Sequence, residues 1–416
     1  MSFLNSLKIY ISGALVRTIC SFFLGIIVAK LLGPSERGVI GIVMSIAMLS
    51  SIAGSIGLPQ LLSINSRDAL MLHPRLIKSI SIALILSCSI SFGYLWAFGN
   101  EYGPQIIMLT LLFLINILLR EVLRGEGEFR IIAISMHIES VLLAAFVLFF
   151  YFNGPTVISY LWLMIFLNVI VMVYMGVVLL PRLAIKKIET EAEITNSTQL
   201  TFSITNILIP LVRYSPLLLM SAFNADPASI GIAAVAISIV NNLELIPNSI
   251  SQVLLPSLKI NQVSDDRFLA IIVCLVCVSL LAVAAAAGLL LFILIPFLGV
   301  EYSQLIYMFL ILSFGFSIGG VGKLIHLKLN LQSKEHYELR AISLRIIFQF
   351  FISVALINPL GVYGVLIAIS ISQFVRFLYC VYLYCSNFSV SGSGVFAEIN
   401  VGRHYVYNRL TKKDYR

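Results

Sequence analysis

Seven charged side chains lie in the interior of long apolar stretches of the sequence, where charge is unexpected. Five of them are basic and two are acidic: Arg17, Arg213, Lys323, Arg345, Arg376, Glu139 and Glu244. A charge near the centre of a membrane-spanning helix costs about 2.5–3.5 kcal/mol on insertion scales, so it usually faces a cavity or a partner. Guanidinium groups bind phosphate oxygens through paired hydrogen bonds. The excess of cations therefore predicts a cavity that takes an anionic group.

Ion pairing within the protein, for example of Arg213 with Glu244, could neutralise at most two of the five cations. Lys323 lies near the inner end of its apolar stretch, where its long side chain could reach the membrane surface. At least three of the five cations would remain unpaired.

Amides and prolines accompany the charges in two stretches. Asn206 and Pro210 lie at helical spacing from Arg213, and Pro216 follows; proline frees backbone groups that must be covered by protein or water at membrane depth. Polar residues also recur along one helical face further on: Asn241, Glu244, Asn248, Ser251 and Gln252. Hydrogen bonding between helices is the alternative, but the carboxylate favours a cavity wall. The two buried acids are the candidates for coupling to a proton or a sodium ion.

The elements that must position these residues follow from composition. The chain is 60% hydrophobic and 11% charged, whereas soluble proteins are about 45–50% apolar and about 25% charged. A soluble multidomain enzyme is therefore excluded. A membrane-spanning helix needs about 20 apolar residues, and stretches of that kind fall at 7–31, 38–63, 76–98, 104–123, 131–152, 157–180, 200–222, 228–257, 268–298, 303–327, 340–357 and 361–385. The predicted fold is an all-α polytopic membrane protein with about 12 transmembrane helices.

The distribution of Lys and Arg predicts the orientation, because these residues are retained on the cytoplasmic side. With the N-terminus inside, 20 of the 27 basic residues fall in inside segments, and only Lys30 and Arg37 fall in outside loops. Both termini are therefore expected in the cytoplasm. The net charge of +8 reflects this topology, and it does not predict binding to nucleic acid.

The longest predicted inside loop divides the chain into two similar halves. The predicted units are an N-terminal six-helix lobe over 1–180, a cytoplasmic linker over 181–199, a C-terminal six-helix lobe over 200–385 and a basic cytoplasmic tail over 386–416. Because six is an even number of crossings, the two lobes form a parallel repeat, and transporters built this way bind their substrate between the repeats.

Matching positions in the two halves support the repeat. Pro34 and Gly38 follow the intramembrane Arg17 in the first half, and Pro227 and Gly231 follow Arg213 in the second, with four residues from Pro to Gly in both. Similar apolar helices would account for the hydrophobicity but not for the shared arginine.

Motifs of ATP hydrolysis, zinc binding and serine hydrolysis are absent from the sequence. We therefore expect no enzyme activity, no cofactor and no metal. A membrane polysaccharide polymerase remains the enzyme alternative, but the predicted outside loops leave little room for catalytic machinery.

Four segments resemble the turns of a known transporter family. Residues 29–38 read AKLLGPSERG and residues 57–61 read GLPQL, while residues 123–129 read LRGEGEF and residues 358–364 read NPLGVYG. On these motifs the chain resembles the Wzx-type O-antigen and polysaccharide flippases of the multidrug/oligosaccharidyl-lipid/polysaccharide (MOP) superfamily. The resemblance covers about residues 5–385.

The resemblance implies a two-lobed, MATE-like transporter in the bacterial inner membrane. Such proteins move undecaprenyl-pyrophosphate-linked oligosaccharide, an O-antigen or capsule repeat unit, by alternating access. The resemblance implies that Arg17 lines the central cavity, with Arg213 as its repeat counterpart. The implied partners are the polyprenyl-pyrophosphate-linked oligosaccharide, membrane lipids, and a polysaccharide polymerase with its chain-length regulator.

A drug or cation antiporter of the same superfamily is the transport alternative. A cavity that holds cations needs acidic residues, whereas the first apolar stretch contains Arg17 and no Asp or Glu. The balance of charge therefore favours an anionic substrate.

Overall fold

The structure is a computed structural model of the 416-residue chain, and it describes residues 3–55, 58, 74–98, 101–126, 128–183, 196–243, 265–330 and 336–387. Every regular element in these ranges is helical. The helices are α1 (Phe3–Gly54), α2 (Pro74–Phe98), α3 (Gly103–Gly125), α4 (Phe129–Asn153), α5 (Val157–Leu183), α6 (Asn196–Ala222), α7 (Pro227–Leu243), α8 (Asp265–Leu289), α9 (Ile295–Leu298), α10 (Leu305–Asn330), α11 (His336–Leu360) and α12 (Val362–Asn387). The predicted all-α fold class is confirmed.

Eight helices in the described ranges are long and apolar enough to cross a membrane, and three shorter apolar helices accompany them at Ile80–Gly93, Leu208–Ala222 and Pro227–Leu243. Helix α1 contains two of the predicted spans, because Gly33 interrupts it with φ 76° and ψ 174°. Residues other than glycine rarely adopt this positive φ. The single-residue break lets the chain turn back before Pro34 starts the second part of α1.

Large apolar side chains cover much of the outer surface of the molecule. Phe92, Phe152, Leu281, Phe292 and Phe351 are each more than 60% exposed. Soluble proteins rarely present continuous apolar surface of this kind, whereas a surface in contact with lipid tails requires it. The protein is accordingly a multi-pass membrane protein.

The buried apolar side chains form separate clusters in the two halves of the chain. One cluster contains residues between Leu24 and Leu179. A second, between Leu217 and Ile369, also takes in Ile26 and Ala29 from α1, and a third joins α8, α10 and α12 around Phe268 and Tyr384. Helix α1 thus contributes to the packing of both halves.

The two halves meet closely where α1 bends and α7 begins. A Cβ atom built on Gly38 would lie 2.3 Å from the carbonyl oxygen of Pro227, and one built on Gly231 would lie 1.7 Å from that of Pro34. Backbones can approach this closely only where both helices carry glycine. We call the approach of Pro34 and Gly38 to Pro227 and Gly231 the closure contact, and it joins the matching positions of the two predicted repeats.

Two side-chain interactions lie beside the closure contact. The hydroxyl of Tyr302 donates a hydrogen bond to the carbonyl oxygen of Ala29 at 2.8 Å. The ammonium group of Lys30 lies 3.8 Å from the centre of the Phe297 ring. In the predicted orientation, all of these contacts close the protein on its outer side.

Candidate functional site

The first half of the chain pairs its intramembrane charges. Arg17 of α1 donates a hydrogen bond to one carboxylate oxygen of Glu139 on α4 at 3.2 Å, and Arg120 of α3 donates to the other oxygen. The Glu139 side chain is only 8% exposed, against 35% for Arg17 and 21% for Arg120. One carboxylate thus joins three helices of this half and offsets one of two positive charges.

This arrangement gives Arg17 and Glu139 a structural role that the sequence did not indicate. A buried carboxylate needs a charged partner, and Glu139 has two. Arg17 contributes to neither of the two cavities described below. Its predicted role as a substrate ligand, and that of Glu139 in ion coupling, remain hypotheses.

A cavity of about 350 Å³ lies within the second half of the chain. We call it the C-terminal cavity. It is lined by residues of α6, α7, α10, α11 and α12, and its polar wall contains Arg213, Asn241, Glu338, Arg345 and Arg376. Three guanidinium groups from three helices therefore meet one carboxylate around a single space, and the wall carries a net positive charge.

Arg376 is the most buried of the three arginines, with 6% of its surface exposed. Its Nε atom is buried and has no hydrogen-bond partner among the described residues. Among the described residues, no carboxylate forms an ion pair with it. Burying an unpaired charge costs several kcal/mol, so this side chain is well suited to an anion that enters the cavity.

Arg345 is positioned by Gln373 of α12. With the Gln373 amide oriented so that its oxygen faces the guanidinium group, that oxygen accepts hydrogen bonds from Nη1 and Nη2 of Arg345 at 3.2 and 2.7 Å. Gln373 is 1% exposed. It occupies space that Gly319 of α10 leaves open, because a Cβ at that position would lie 2.3 Å from the amide. The small residue on α10 therefore allows the amide to orient the arginine.

A second cavity, of about 340 Å³, lies between the two halves. We call it the inter-half cavity. Its wall combines cations, hydroxyls, amides and aromatic rings from α1, α5, α6 and α7, including Ser21, Arg37, Ser45, Tyr160, Arg213, Tyr214, Ser238, Asn241 and Asn242. Arg213 and Asn241 belong to the walls of both cavities, so the two spaces adjoin at these residues.

Arg213 is exposed to this shared space. Its guanidinium group lies 5.9 Å from the centre of the neighbouring Tyr214 ring. In the described part of the chain it forms no ion pair. Among the described residues, Arg17 is thus paired with an acid, whereas the matching Arg213 forms no ion pair and faces the shared space.

Some predicted site residues lie outside the part of the chain that the structure describes. Glu244, Asn248 and Gln252 follow the described end of α7, and the side chains of Asn206 and Lys323 are not described within α6 and α10. Their predicted roles, and the pairing of Arg213 with Glu244, remain predictions.

Three residues of the site were not identified from the sequence. Arg37 was expected in an outside loop, but the structure places it in the second part of α1, half-buried in the wall of the inter-half cavity. Glu338 lies in the first turn of α11. Acidic residues are common there because they interact favourably with the helix N-terminus, so the sequence did not mark Glu338 as a cavity residue. Gln373 resembles an ordinary polar residue in an apolar helix. The Gly33–Pro34 pair in the sequence could have indicated the position of Arg37. A break of a single residue lets the helix resume at Pro34, so that Arg37 falls in its second part.

The fold of the chain is similar to that of solved MOP-superfamily transporters. No family profile matches the sequence, and no curated protein matches it. Solved structures match more than 90% of this chain, and they include transporters and a flippase.

The lipid II flippase MurJ in an inward closed conformation has a TM-score of 0.65 at 11% identity, over 97% of this chain and 92% of that chain. A multidrug resistance MATE family transporter in an inward-facing conformation has a TM-score of 0.62 at 14% identity, over 91% of this chain and 98% of that chain. An outward-facing MATE family transporter has a TM-score of 0.56 at 16% identity, over 92% and 95% of the two chains. At these identities the likeness establishes the fold.

Proposed function

We propose that this protein is a flippase that translocates a polyprenyl-pyrophosphate-linked oligosaccharide, such as an O-antigen or capsule repeat unit, across the bacterial inner membrane. The observation that carries this proposal is the convergence of Arg213, Arg345 and Arg376 on the C-terminal cavity. A pyrophosphate offers several oxygens to these forked donors. Membrane-embedded cations of this kind are costly unless they bind something.

The geometry supports alternating access between the two halves. The closure contact seals the predicted outer side, so a substrate held by the three arginines would be loaded from the cytoplasm. The inter-half cavity beside it offers hydroxyls, amides and aromatic rings, which suit a sugar better than a lipid tail. The tail would stay in the bilayer while the halves move.

The charge of the cavity walls argues against a cation antiporter. Among the described lining residues of the two cavities, Glu338 is the one carboxylate, against Arg37, Arg213, Arg345 and Arg376. An organic cation would meet net repulsion there. The proposed substrate is therefore the anionic lipid-linked oligosaccharide. The other proposed partners are the surrounding lipids, and a polymerase with its chain-length regulator that acts on the translocated product.

The test replaces Arg376 by glutamine in the organism that carries the protein. Removing a charged hydrogen-bond partner costs about 1.5–3 kcal/mol, which corresponds to roughly 10- to 150-fold weaker anion binding. We expect surface polysaccharide to fall, and lipid-linked repeat units to accumulate on the cytoplasmic side. Arg345→Gln should act in the same direction.

Arg340→Gln is the matched control. Arg340 lies on α11 together with Arg345, but it is exposed and outside both cavities. The control should retain normal surface polysaccharide. Unchanged polysaccharide in Arg376→Gln and Arg345→Gln cells, at wild-type protein levels, would show that the cavity does not capture the substrate.

A further inference from the structure

Arg37 gives the inter-half cavity a cation of its own. It is half-buried, and its Nε atom is buried without a hydrogen-bond partner in the part of the chain that the structure describes. It forms no ion pair with any carboxylate in the described ranges. Its neighbour in the chain, Gly38, is part of the closure contact. The positive charge therefore lies at the closed end of the cavity.

The opposite end of the same cavity is marked by Arg213 and Asn241, which also line the C-terminal cavity. On α7, Asn241 follows Gly231 by ten residues, which is about 15 Å along a helix. The inter-half cavity thus runs from Arg213, where it adjoins the C-terminal cavity, to Arg37 beside the closure contact.

We propose that Arg37 is a second anion-binding station at the closed end of the inter-half cavity, which receives the phosphate groups of the substrate after the arginines of the C-terminal cavity release them. This inference rests on the proposed function and adds a step to it. A single arginine cluster would hold the pyrophosphate where it first binds. A second cation at the closed end of the cavity would bind the anion near the closure contact, from which it could leave when that contact opens.

The lining between the two arginines suits this step. Ser21, Ser45, Ser238 and Asn242 offer neutral hydrogen-bonding groups to a sugar or a phosphate, and the described residues of this wall include no acid that would repel an anion. The shared chemistry of the ligand is a diphosphate, which could come from a lipid-linked substrate or from free pyrophosphate.

The experiment counts binding sites on the purified full chain in detergent. Equilibrium dialysis with radiolabelled inorganic pyrophosphate should find two sites on the wild-type protein. Arg37→Gln should remove one of them, with an affinity loss of about tenfold or more, and leave the other at wild-type affinity. Arg376→Gln should weaken the other site, and Arg340→Gln should change neither.

The outcomes separate this inference from the proposed function. The second station would be overturned if Arg37→Gln kept both sites unchanged. It would also be overturned if the wild-type protein had a single site and Arg376→Gln abolished it. Either outcome would leave the flippase proposal intact. Loss of one site in Arg37→Gln with no effect of Arg376→Gln or Arg345→Gln would support the station and contradict capture in the C-terminal cavity. A wild-type protein that binds no pyrophosphate would overturn both.

Repeating the titration with a polyprenyl diphosphate in mixed micelles identifies the source of the anion. If Arg37→Gln also removes a site for the lipid-linked diphosphate, the station belongs to the transport path. If it removes a site for inorganic pyrophosphate alone, Arg37 binds a free anion, and its proposed place in the path is wrong. Arg37→Lys should restore part of the binding, because it keeps the charge and loses the fork.

Discussion

Replacing Gly231 by alanine is expected to open the closure contact. The new Cβ atom would lie 1.7 Å from the Pro34 carbonyl oxygen, and that oxygen would have to withdraw beyond 3.0 Å. The obstacle is a backbone atom of a packed helix, so it cannot rotate away as a side chain can. The same holds for Gly38→Ala, whose Cβ would lie 2.3 Å from the Pro227 oxygen.

The size of the effect follows from the cost of overpacking. Inserting a methyl group into a well-packed contact typically costs about 1–3 kcal/mol. The cost applies to the closed state alone, because the two backbones separate when the halves move apart. The ratio of open to closed molecules should therefore rise by roughly 5- to 150-fold.

The assay measures access to the inter-half cavity from outside the cell. A single cysteine is introduced at Ser238 in a variant that lacks the six native cysteines, because Ser238 lines this cavity and its hydroxyl bonds only within α7, to Ala234. Intact cells are treated with a membrane-impermeant maleimide. Gly231→Ala should increase the labelling rate in proportion to the open population.

Gly176→Ala is the control, because no atom lies within 4 Å of a Cβ built at this position in α5. Its labelling rate should equal that of the reporter protein. An unchanged labelling rate in both Gly231→Ala and Gly38→Ala would refute the reasoning. This holds if both variants reach the membrane and unfold at the same temperature as the Gly176→Ala control.

Replacing Glu139 by glutamine leaves two guanidinium groups without their shared partner, so we expect a loss of about 1–3 kcal/mol in stability, measured as a lower midpoint of thermal unfolding in detergent, while pyrophosphate binding persists. Gly319→Ala should displace the amide that orients Arg345 and weaken pyrophosphate binding about tenfold, whereas Gly322→Ala, with its nearest neighbouring atom at 3.7 Å, should bind normally. Tyr302→Phe removes a hydrogen bond worth about 1 kcal/mol beside the closure contact, and outside labelling should rise about fivefold. An unchanged midpoint, equal binding by the two glycine variants, or an unchanged labelling rate would contradict the respective prediction.

The helices were predictable because lipid leaves the backbone few choices. A chain in hydrocarbon must satisfy its own hydrogen bonds, so each apolar stretch becomes a helix. The stretches predicted at 131–152 and 157–180 correspond to α4 at Phe129–Asn153 and α5 at Val157–Leu183. The break before Pro34 was likewise visible, because Gly33 and Pro34 together disfavour a continuous helix.

The role of each intramembrane charge could not be predicted in this way. Hydropathy places Arg17, Arg213 and Arg376 at similar depths in similar helices, and nothing local distinguishes them. Their partners come from helices far away in the chain: Arg17 meets Glu139, which is 122 residues away. Arg376 remains buried and forms no ion pair in the described ranges.

Composition and the order of apolar and basic segments were sufficient for the membrane class, the helical spans and the predicted orientation, because these depend on the transfer of each segment between water and lipid. The match between Pro34–Gly38 and Pro227–Gly231 was also present in the sequence. Packing alone determined that these matching segments touch, that Glu139 forms an ion pair with Arg17, and that Arg37 lines a cavity together with Arg213. Such contacts depend on which helix faces are brought together, and the periodicity of a single helix does not contain that information.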